Sequence, residues 1–150
     1  MNKFTGYICS LCKTEYAPDE VTYTCPKDGG NLDVVLDYES IRKKYHPEDV
    51  TSRADPSIWR YLPLLPVHYP PNADHTPLSL AGGTPVYSLP SLAQKLGLRQ
   101  LWLKDESRNP TASFKDRASA VVVARVREIG AEVVVTASTG NAGAALAGMA

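Results

Sequence analysis

The fold is decided by the stretch from Leu101 to Gly143, which reads LWLKDESRNPTASFKDRASAVVVARVREIGAEVVVTASTGNAG. Its first three residues favour a short strand, and a helix capped by Ser113 follows and ends at Gly130. Glu132 to Thr136 is rich in valine, as are strands buried in parallel sheets. The alanine-rich sequence from Gly143 onward predicts a second helix.

The same alternation of strand and helix begins further upstream. Pro85 to Leu89 predicts a strand, and Ser91 can cap a helix that stops at Gly97. This order is typical of an α/β layer with a parallel sheet. The last helix reaches Ala150 without a C-cap, so we expect an incomplete sheet and the N-terminal part of a longer protein. Residues 81–150 are therefore predicted to be the first part of an α/β domain.

Residues 1–38 are predicted to form a separate small β unit. Tyr7 to Cys12 favours a strand that runs into a tight turn, and Val21 to Cys25 and Leu32 to Leu36 favour two more strands. A unit of this size buries little apolar surface and commonly needs a metal ion for stability.

The cysteine spacing in this unit indicates metal or redox chemistry. Cys9-x-x-Cys12 is a typical pair of metal ligands in a chain that is not exported. The segment Cys25-Pro26-Lys27-Asp28-Gly29-Gly30 resembles the second turn of a zinc ribbon, with Asp28 in the position of the fourth ligand. Two interpretations stay open: Zn²⁺ held by Cys9, Cys12, Cys25 and Asp28, or a ribbon held by packing alone.

Residues 39–80 are predicted to be a connecting arm. Eight of the twelve prolines of the chain fall between residues 56 and 90. Proline lacks an amide donor and fixes φ, so neither a long helix nor a central strand is expected here. Apolar residues between the prolines, such as Trp59 and Leu62, predict an extended segment that packs against a larger body.

Composition excludes several classes of protein. Sixteen basic and sixteen acidic residues give a net charge of zero, which provides no long-range attraction to nucleic acid or anionic lipid. The apolar stretches are far shorter than the roughly 20 residues of a membrane span, and residues 1–6 lack the apolar core of a signal peptide. We therefore expect a cytoplasmic protein with no nucleic-acid or membrane partner.

Lys115 is the candidate catalytic residue on helical geometry. It shares one stripe of its helix with Ser119, Val122, Val126 and Ile129. We expect this apolar stripe to face the sheet and to bury Lys115, where desolvation and the helix dipole both penalise the ammonium form and favour the neutral amine that forms Schiff bases. The alternative is a lysine that extends into solvent from the first turn.

Two segments, residues 109–117 and 137–143, follow predicted strands and lead into helices. Free amides at such helix starts attract anions, and ligands of parallel sheets bind at this edge. Neither segment contains the glycine-rich motif of a simple NAD or ATP site.

In this order and spacing, the two segments resemble the fold-type II pyridoxal-phosphate (PLP) enzymes. Asn-Pro-Thr ahead of Ser-Phe-Lys-Asp-Arg favours the threonine synthases within that family. The resemblance extends to Gly83-Thr84-Pro85, to Leu103-Lys104-Asp105-Glu106 and to the cysteine unit, so it covers nearly the whole chain.

The resemblance implies a role for each motif residue. Lys115 would form the Schiff base with PLP and then transfer protons, and Asn141 would hydrogen-bond the ring hydroxyl of PLP. Ser138, Thr139 and the amides near Gly140 would hold the substrate carboxylate. The implied reaction converts the small molecule O-phospho-L-homoserine and water to L-threonine and phosphate, and a homodimer is one option for the full-length protein.

Polar residues near the lysine are expected to have structural roles. We expect Asp116 and Arg117, and likewise Lys104 and Glu106, to form ion pairs or to close the helix start.

Two departures from the family pattern affect the prediction. Ala81 precedes Gly82-Gly83-Thr84-Pro85, where relatives usually carry an acidic residue. The later glycine-rich phosphate site of the family lies beyond residue 150, so we expect the 150-residue chain alone to bind PLP poorly and to be inactive.

Two alternative functions remain. One is another fold-type II lyase or synthase, of the threonine dehydratase or cysteate synthase type. The other is a non-catalytic zinc-ribbon adaptor in which residues 1–38 bind a partner.

Overall fold

The computed structural model describes residues 3–51 and 55–150, which fall into two compact units. The first unit lies within Met1–Asp55 and Arg60–Tyr69, and the second within Pro56–Trp59 and Pro70–Ala150. The predicted division into residues 1–38, 39–80 and 81–150 stays a prediction. No helix in the described ranges is long and apolar enough to cross a membrane.

The first unit is built on a three-stranded antiparallel sheet. Its strands are β1 (Phe4–Cys9), β2 (Glu15–Tyr16) and β3 (Leu32–Leu36), in the order β2-β1-β3. Helices α1 (Tyr38–Lys44) and α2 (Pro47–Thr51) follow the sheet. The strands predicted around residues 7 and 34 are thus confirmed.

The strand predicted at residues 21–25 is not formed. Val21 and Cys25 are buried, but the three residues between them are exposed and make no ladder. The N–H of Cys25 donates instead to the carbonyl of Gly30 at 2.9 Å, which closes a turn. Glu15 and Tyr16 pair with β1 in place of this segment, so the β-branched composition was overridden by the turn at Cys25.

One buried cluster of the first unit is small and rich in sulfur. Its buried members are Cys9, Tyr16, Val21 and Cys25, with Tyr7 and Leu32 packed against them. Two of the four buried side chains of this cluster are therefore thiols, and the cluster itself buries little hydrocarbon. Further buried apolar side chains of the first unit are Phe4, Ile41 and Val67.

The second unit contains two strands and four helices. In chain order they are α3 (Pro77–Leu80), β4 (Val86–Ser88), α4 (Pro90–Lys95), β5 (Trp102–Lys104), α5 (Lys115–Glu128) and α6 (Asn141–Met149). The predicted elements β4, α4, β5, α5 and α6 are all present, and the mixed α/β class is confirmed.

The sheet of the second unit is antiparallel, and the predicted parallel sheet is not formed by the described residues. Val86 pairs with Lys104, and Ser88 with Trp102. The N–H of Leu89 donates to the carbonyl of Leu101 at 2.9 Å, so the chain returns beside the strand that it has just left. The connection, which contains α4, thus forms a long hairpin and not a parallel crossover.

The valine-rich segment Glu132 to Thr136 does not form the predicted strand. No strand in the described part of the chain pairs with it, and Val133 and Val135 are 75% and 85% exposed. A strand is stable only when neighbouring strands satisfy its backbone hydrogen-bonding groups. The β propensity of this segment is therefore not enough, because no described strand pairs with it.

Helix α5 packs against α6 through a face that differs from the predicted one. Its buried residues include Asp116, Ala120, Val123 and Ala124. In the predicted stripe only Ser119 is buried, while Val122 and Ile129 are each 44% exposed. Small alanines allow close approach to α6, whereas the predicted stripe required a covering sheet that these residues do not form.

Candidate functional site

Lys115 is the first residue of α5 and lies beside an open groove of about 220 Å³. The groove is lined from α5 by Lys115, Ala118, Ser119 and Val122, and from the following chain by residues that include Val134, Thr136 and Ala142. The amine Nζ lies 6.0 Å from the centre of the Phe114 ring. The side chain is exposed, so the predicted burial of Lys115 is wrong: the segment expected to cover it as a strand is itself exposed.

The loop before Lys115 is shaped by the fully buried carboxylate of Asp116. Asp116 Oδ2 accepts a hydrogen bond from the N–H of Thr111 at 2.7 Å, and Oδ1 accepts from the Thr111 hydroxyl. Ala112 has a φ of +56°, and Ser113 Oγ accepts from the N–H of Lys115 at 3.1 Å. A buried carboxylate needs such donors, and here they fix the backbone that leads into the first turn of α5.

Glu106 and Arg117 form a two-pronged ion pair next to this loop. Arg117 Nε donates to Glu106 Oε2 and Nη2 donates to Oε1, both at 2.9 Å. The Thr84 hydroxyl donates to Glu106 Oε1 at 2.9 Å and accepts from Arg117 Nη2 at 3.1 Å. The Arg117 guanidinium is the main reason that the pKa of Glu106 falls to about 2, despite the opposing effect of burial.

Asn109 connects this ion pair to the turn at Gly82. Its Nδ2 donates to the carbonyl of Glu106 at 3.0 Å and to Glu106 Oε2 at 2.8 Å. Its Oδ1 accepts from the N–H of Gly82 at 2.9 Å. Gly82 has a φ of +89°, and a Cβ there would lie 2.8 Å from the backbone nitrogen of Ile58, so only glycine fits.

We call the four residues Thr84, Glu106, Asn109 and Arg117 the Glu106 network. It joins three separate motifs of the sequence, and its side chains are buried or half-buried. Lys104 extends it, because its Nζ donates to the carbonyl of Thr84 at 3.0 Å. The sequence predicted structural pairing for these charged residues, but it did not indicate the part played by Thr84 and Asn109.

The second predicted loop lies at the start of α6. Ser138, Thr139, Gly140 and Asn141 are all exposed, and Ser138 Oγ accepts from the N–H of Gly140 at 3.2 Å. A Cβ at Gly143 would lie 2.8 Å from the carbonyl oxygen of Ser138, so glycine allows the loop to fold back over the helix. The roles of these four residues toward cofactor and substrate stay predictions.

Helix α6 contacts the loop that precedes Lys115, and it begins at the second loop. A Cβ at Gly148 would clash with Cγ2 of Thr111, so the end of α6 packs directly on the loop that precedes Lys115. Ala142, next to the second loop, lines the same groove as Lys115. The structure therefore brings the start of α5 and the start of α6 to one groove, although it leaves that groove open.

In the first unit, the four predicted metal ligands lie together. One possible ligand atom from each of Cys9, Cys12, Cys25 and Asp28 falls in a group whose members are all within 4.8 Å of one another. Cys9 and Cys25 are buried, and Cys12 and Asp28 are exposed. The N–H of Gly30, which donates to Asp28 Oδ1 at 2.8 Å, is the main reason that the pKa of Asp28 falls to about 2.

Comparison with known proteins gives a family match over most of the second unit. Residues 78–150 match the family described as "Pyridoxal-phosphate dependent enzyme". This range includes Lys115, both loops and all four residues of the Glu106 network. No solved structure gives a significant match.

Curated relatives extend the similarity over most of the chain. Threonine synthases of Methanosarcina acetivorans and Methanocaldococcus jannaschii are 46% and 44% identical over 93% of this chain. A cysteate synthase of Methanoregula boonei is 29% identical over 90% of it. The chain spans about a third of the length of these relatives, namely 32%, 33% and 30%.

Proposed function

We propose that this chain, whose residues 78–150 belong to the pyridoxal-phosphate dependent enzyme family, contributes its first catalytic segments to a threonine synthase. The reaction converts O-phospho-L-homoserine and water to L-threonine and phosphate. The observation that carries the proposal is the much higher identity to threonine synthases than to cysteate synthases over nearly the same residues.

Lys115 is the proposed Schiff-base residue. PLP, when bound, supplies an electron sink for carbanions on the substrate. The Lys115 amine stands at the first position of α5 and on the edge of the groove, where an aldehyde can reach it. As a free amine, Lys115 could take a proton from one carbon of the substrate and return it to another, because its helix start is fixed.

Fixing that helix start is the proposed task of Asp116 and the Glu106 network. Asp116 accepts from the N–H of Thr111, and Arg117 donates to Glu106, so both residues tie the first turn of α5 to the chain before it. These residues face the loop backbone and not the groove, so we assign them to positioning. Loss of either set would move the amine without removing it.

The start of α6 is the proposed anion site. The hydroxyls of Ser138 and Thr139 and the amides around Gly140 lie just ahead of the first turn, where N–H groups point outward. A substrate carboxylate would accept from these donors. Asn141, the first residue of α6, would donate to or accept from the ring hydroxyl of PLP.

A chimera tests the activity, because the chain spans about a third of its relatives. Residues 1–150 are joined to the remaining part of the Methanosarcina acetivorans threonine synthase, and threonine and phosphate are measured after addition of PLP and O-phospho-L-homoserine. The chimera should release both products in equal amounts. Lys115→Ala should lower kcat by about 10²–10⁴-fold or more, since it removes the proton-transferring amine.

Lys95→Ala is the matched control, because Lys95 is exposed at the end of α4 and lies outside the groove. It should leave kcat unchanged. An active chimera whose Lys115→Ala variant keeps full activity would contradict the proposal.

A cysteate synthase is the second candidate, favoured by the weaker similarity to that enzyme. Residues 1–150 can be joined in the same way to the remaining part of the Methanoregula boonei protein. If threonine synthase is the correct assignment, this second chimera should form no cysteate and should retain less PLP than the first.

A further inference from the structure

Two turns in the first unit have the same backbone hydrogen bonds. In each, a cysteine carbonyl accepts from the N–H four residues later, and the cysteine N–H donates to the carbonyl five residues later. These bonds join Cys9 to Lys13 (3.1 Å) and Thr14 (2.9 Å), and Cys25 to Gly29 (2.8 Å) and Gly30 (2.9 Å). The fourth residue after the cysteine has a positive φ in both turns, +59° and +72°. By this register, Asp28 holds the place in the second turn that Cys12 holds in the first.

The side chains of the two turns converge at ligand spacing. Cys12 Sγ lies 3.7 Å from Cys25 Sγ, and Cys9 Sγ lies 3.4 Å from Asp28 Oδ1. A tetrahedral zinc ion with bonds of about 2.0–2.3 Å places its ligand atoms roughly 3.3–3.8 Å apart. These two donor pairs therefore already have the separation of ligands in a tetrahedral shell, and all four donor atoms lie within 4.8 Å of one another.

Neighbouring groups orient these donors. The N–H of Leu11 donates to Cys9 Sγ at 3.4 Å, and the buried Tyr16 hydroxyl lies 3.0 Å from Cys25 Sγ. Both contacts can stabilise a thiolate, as outer contacts of metal ligands do. The N–H of Gly30 holds one oxygen of Asp28, which fixes the plane of the carboxylate.

Gly30 is required by the same arrangement. A Cβ at this position would lie 2.8 Å from Cys9 Sγ and 3.0 Å from Asp28 Oδ1. Because Cys9 is fully buried, its sulfur has little room to move away. Gly30 therefore leaves the space in which Cys9 Sγ, from the first turn, approaches Asp28 Oδ1, from the second.

We propose that Cys9, Cys12, Cys25 and Asp28 bind one Zn²⁺ through three thiolates and one carboxylate oxygen. An aspartate carries the same charge as a thiolate, so the ion has the charge balance of a four-cysteine site. Each cysteine releases its thiol proton to solvent when its sulfur binds the metal. Sulfur-rich tetrahedral ligand sets select zinc among common divalent ions.

The four ligands lie in the first unit and include no residue of the Lys115 groove, so the proposed site does not depend on the proposed function. Its expected effect is on folding, because two of the four buried residues of the sulfur-rich cluster are ligands. Binding of the metal would add its free energy to that of this small cluster.

Metal binding to the 150-residue chain tests the proposal. The reduced, metal-free chain is titrated with Co²⁺, whose visible spectrum reports tetrahedral geometry and thiolate ligands, and Zn²⁺ is then used to displace it. One equivalent of each ion should bind. Asp28→Ala should weaken Zn²⁺ binding by at least about tenfold, the lower end of the effects seen when metal-site contacts are removed. Asp28→Cys should tighten binding and increase the intensity of the sulfur-to-cobalt band.

Asp33→Ala is the control, because Asp33 is an exposed carboxylate on β3 outside the cluster. It should bind both ions as the parent does. A parent chain that gives no tetrahedral cobalt spectrum would overturn the site. Equal affinity in the parent, Asp28→Ala and Asp28→Cys would overturn the assignment of Asp28, and the last variant keeps this test decisive if the alanine variant fails to fold.

Discussion

Glu106 shows what could not be inferred at the scale of single residues. Its partners Asn109, Arg117 and Thr84 lie three, eleven and twenty-two positions away, and all four side chains are polar in a loop-rich region. The motifs that contain them could be recognised in the sequence, and a structural pairing of charges could be expected. Which atoms pair is decided by the positive-φ turn at Gly82 and by the path of the 109–115 loop, and neither leaves a periodic signal.

The low pKa of Glu106 predicts a loss of stability in acid. The folded-state pKa is about 2 against an ordinary 4.5, so the ion pair contributes fully above the ordinary value and is lost as the pH falls toward 2. Glu106→Gln should cost roughly 1–3 kcal/mol of unfolding free energy at pH 7. Urea denaturation of the chain from pH 7 to pH 3 should show this difference shrinking in the acid range.

Glu132→Gln serves as its control, since Glu132 is exposed and should change the unfolding free energy little at any pH. A Glu106→Gln deficit that stays constant from pH 7 to pH 3 would contradict the assigned ion pair.

Asp116 and Thr111 should be energetically coupled. Asp116→Asn removes a charged acceptor, and Thr111→Val removes the hydroxyl donor but keeps the backbone N–H. Thermal or urea unfolding of both single variants and the double variant should give a coupling of about 0.5–3 kcal/mol. Additive effects of the two substitutions would show that the loop is not held by this contact.

Among helices and strands, local sequence signals predicted which elements form better than they predicted how these elements pair and which face they bury. The strands β4 and β5 and the helices α4 and α5 appear where turn residues and β-branched runs indicated them. The segment 132–136 failed because a strand needs hydrogen-bonded neighbours, which composition cannot supply. The face of α5 was wrong for a related reason: its partner is α6, reached through alanines, and apolar periodicity does not reveal which partner a helix has.

The buried face of α5 can be tested by replacing a small residue on that face with a larger one. Ala120 is fully buried, so Ala120→Leu should overpack this face and cost about 1–3 kcal/mol of unfolding free energy. Val122, on the originally predicted stripe, is exposed, and Val122→Ala should change stability by less than about 0.5 kcal/mol. Urea denaturation of the two variants measures both. The reverse order of effects would restore the sequence-based orientation.

At the scale of the whole molecule, the two units are stabilised by different means. The second unit has a helix pair that packs through small apolar residues, whereas two of the four buried residues in one cluster of the first unit are cysteines. The spacing of Cys9 and Cys12, together with the resemblance of residues 25–30 to a zinc ribbon, was enough to predict that Cys9, Cys12, Cys25 and Asp28 lie together, because each turn brings its two residues together locally. The groove at Lys115 was predicted only in part: the helix start was correct, but covering it depends on sheet neighbours that a local pattern does not contain.

Chemical trapping can identify the lysine that bonds to the PLP aldehyde, which we propose is Lys115. The chimera described above is loaded with PLP and reduced with borohydride, which converts a Schiff base to a stable pyridoxyl-amine, and its peptides are then mapped by mass. We predict one pyridoxyl group, carried by the peptide that contains Lys115 and absent from the Lys115→Ala variant. A pyridoxyl group on any other lysine, with Lys115 unmodified in an active protein, would contradict the assignment of Lys115 as the Schiff-base residue.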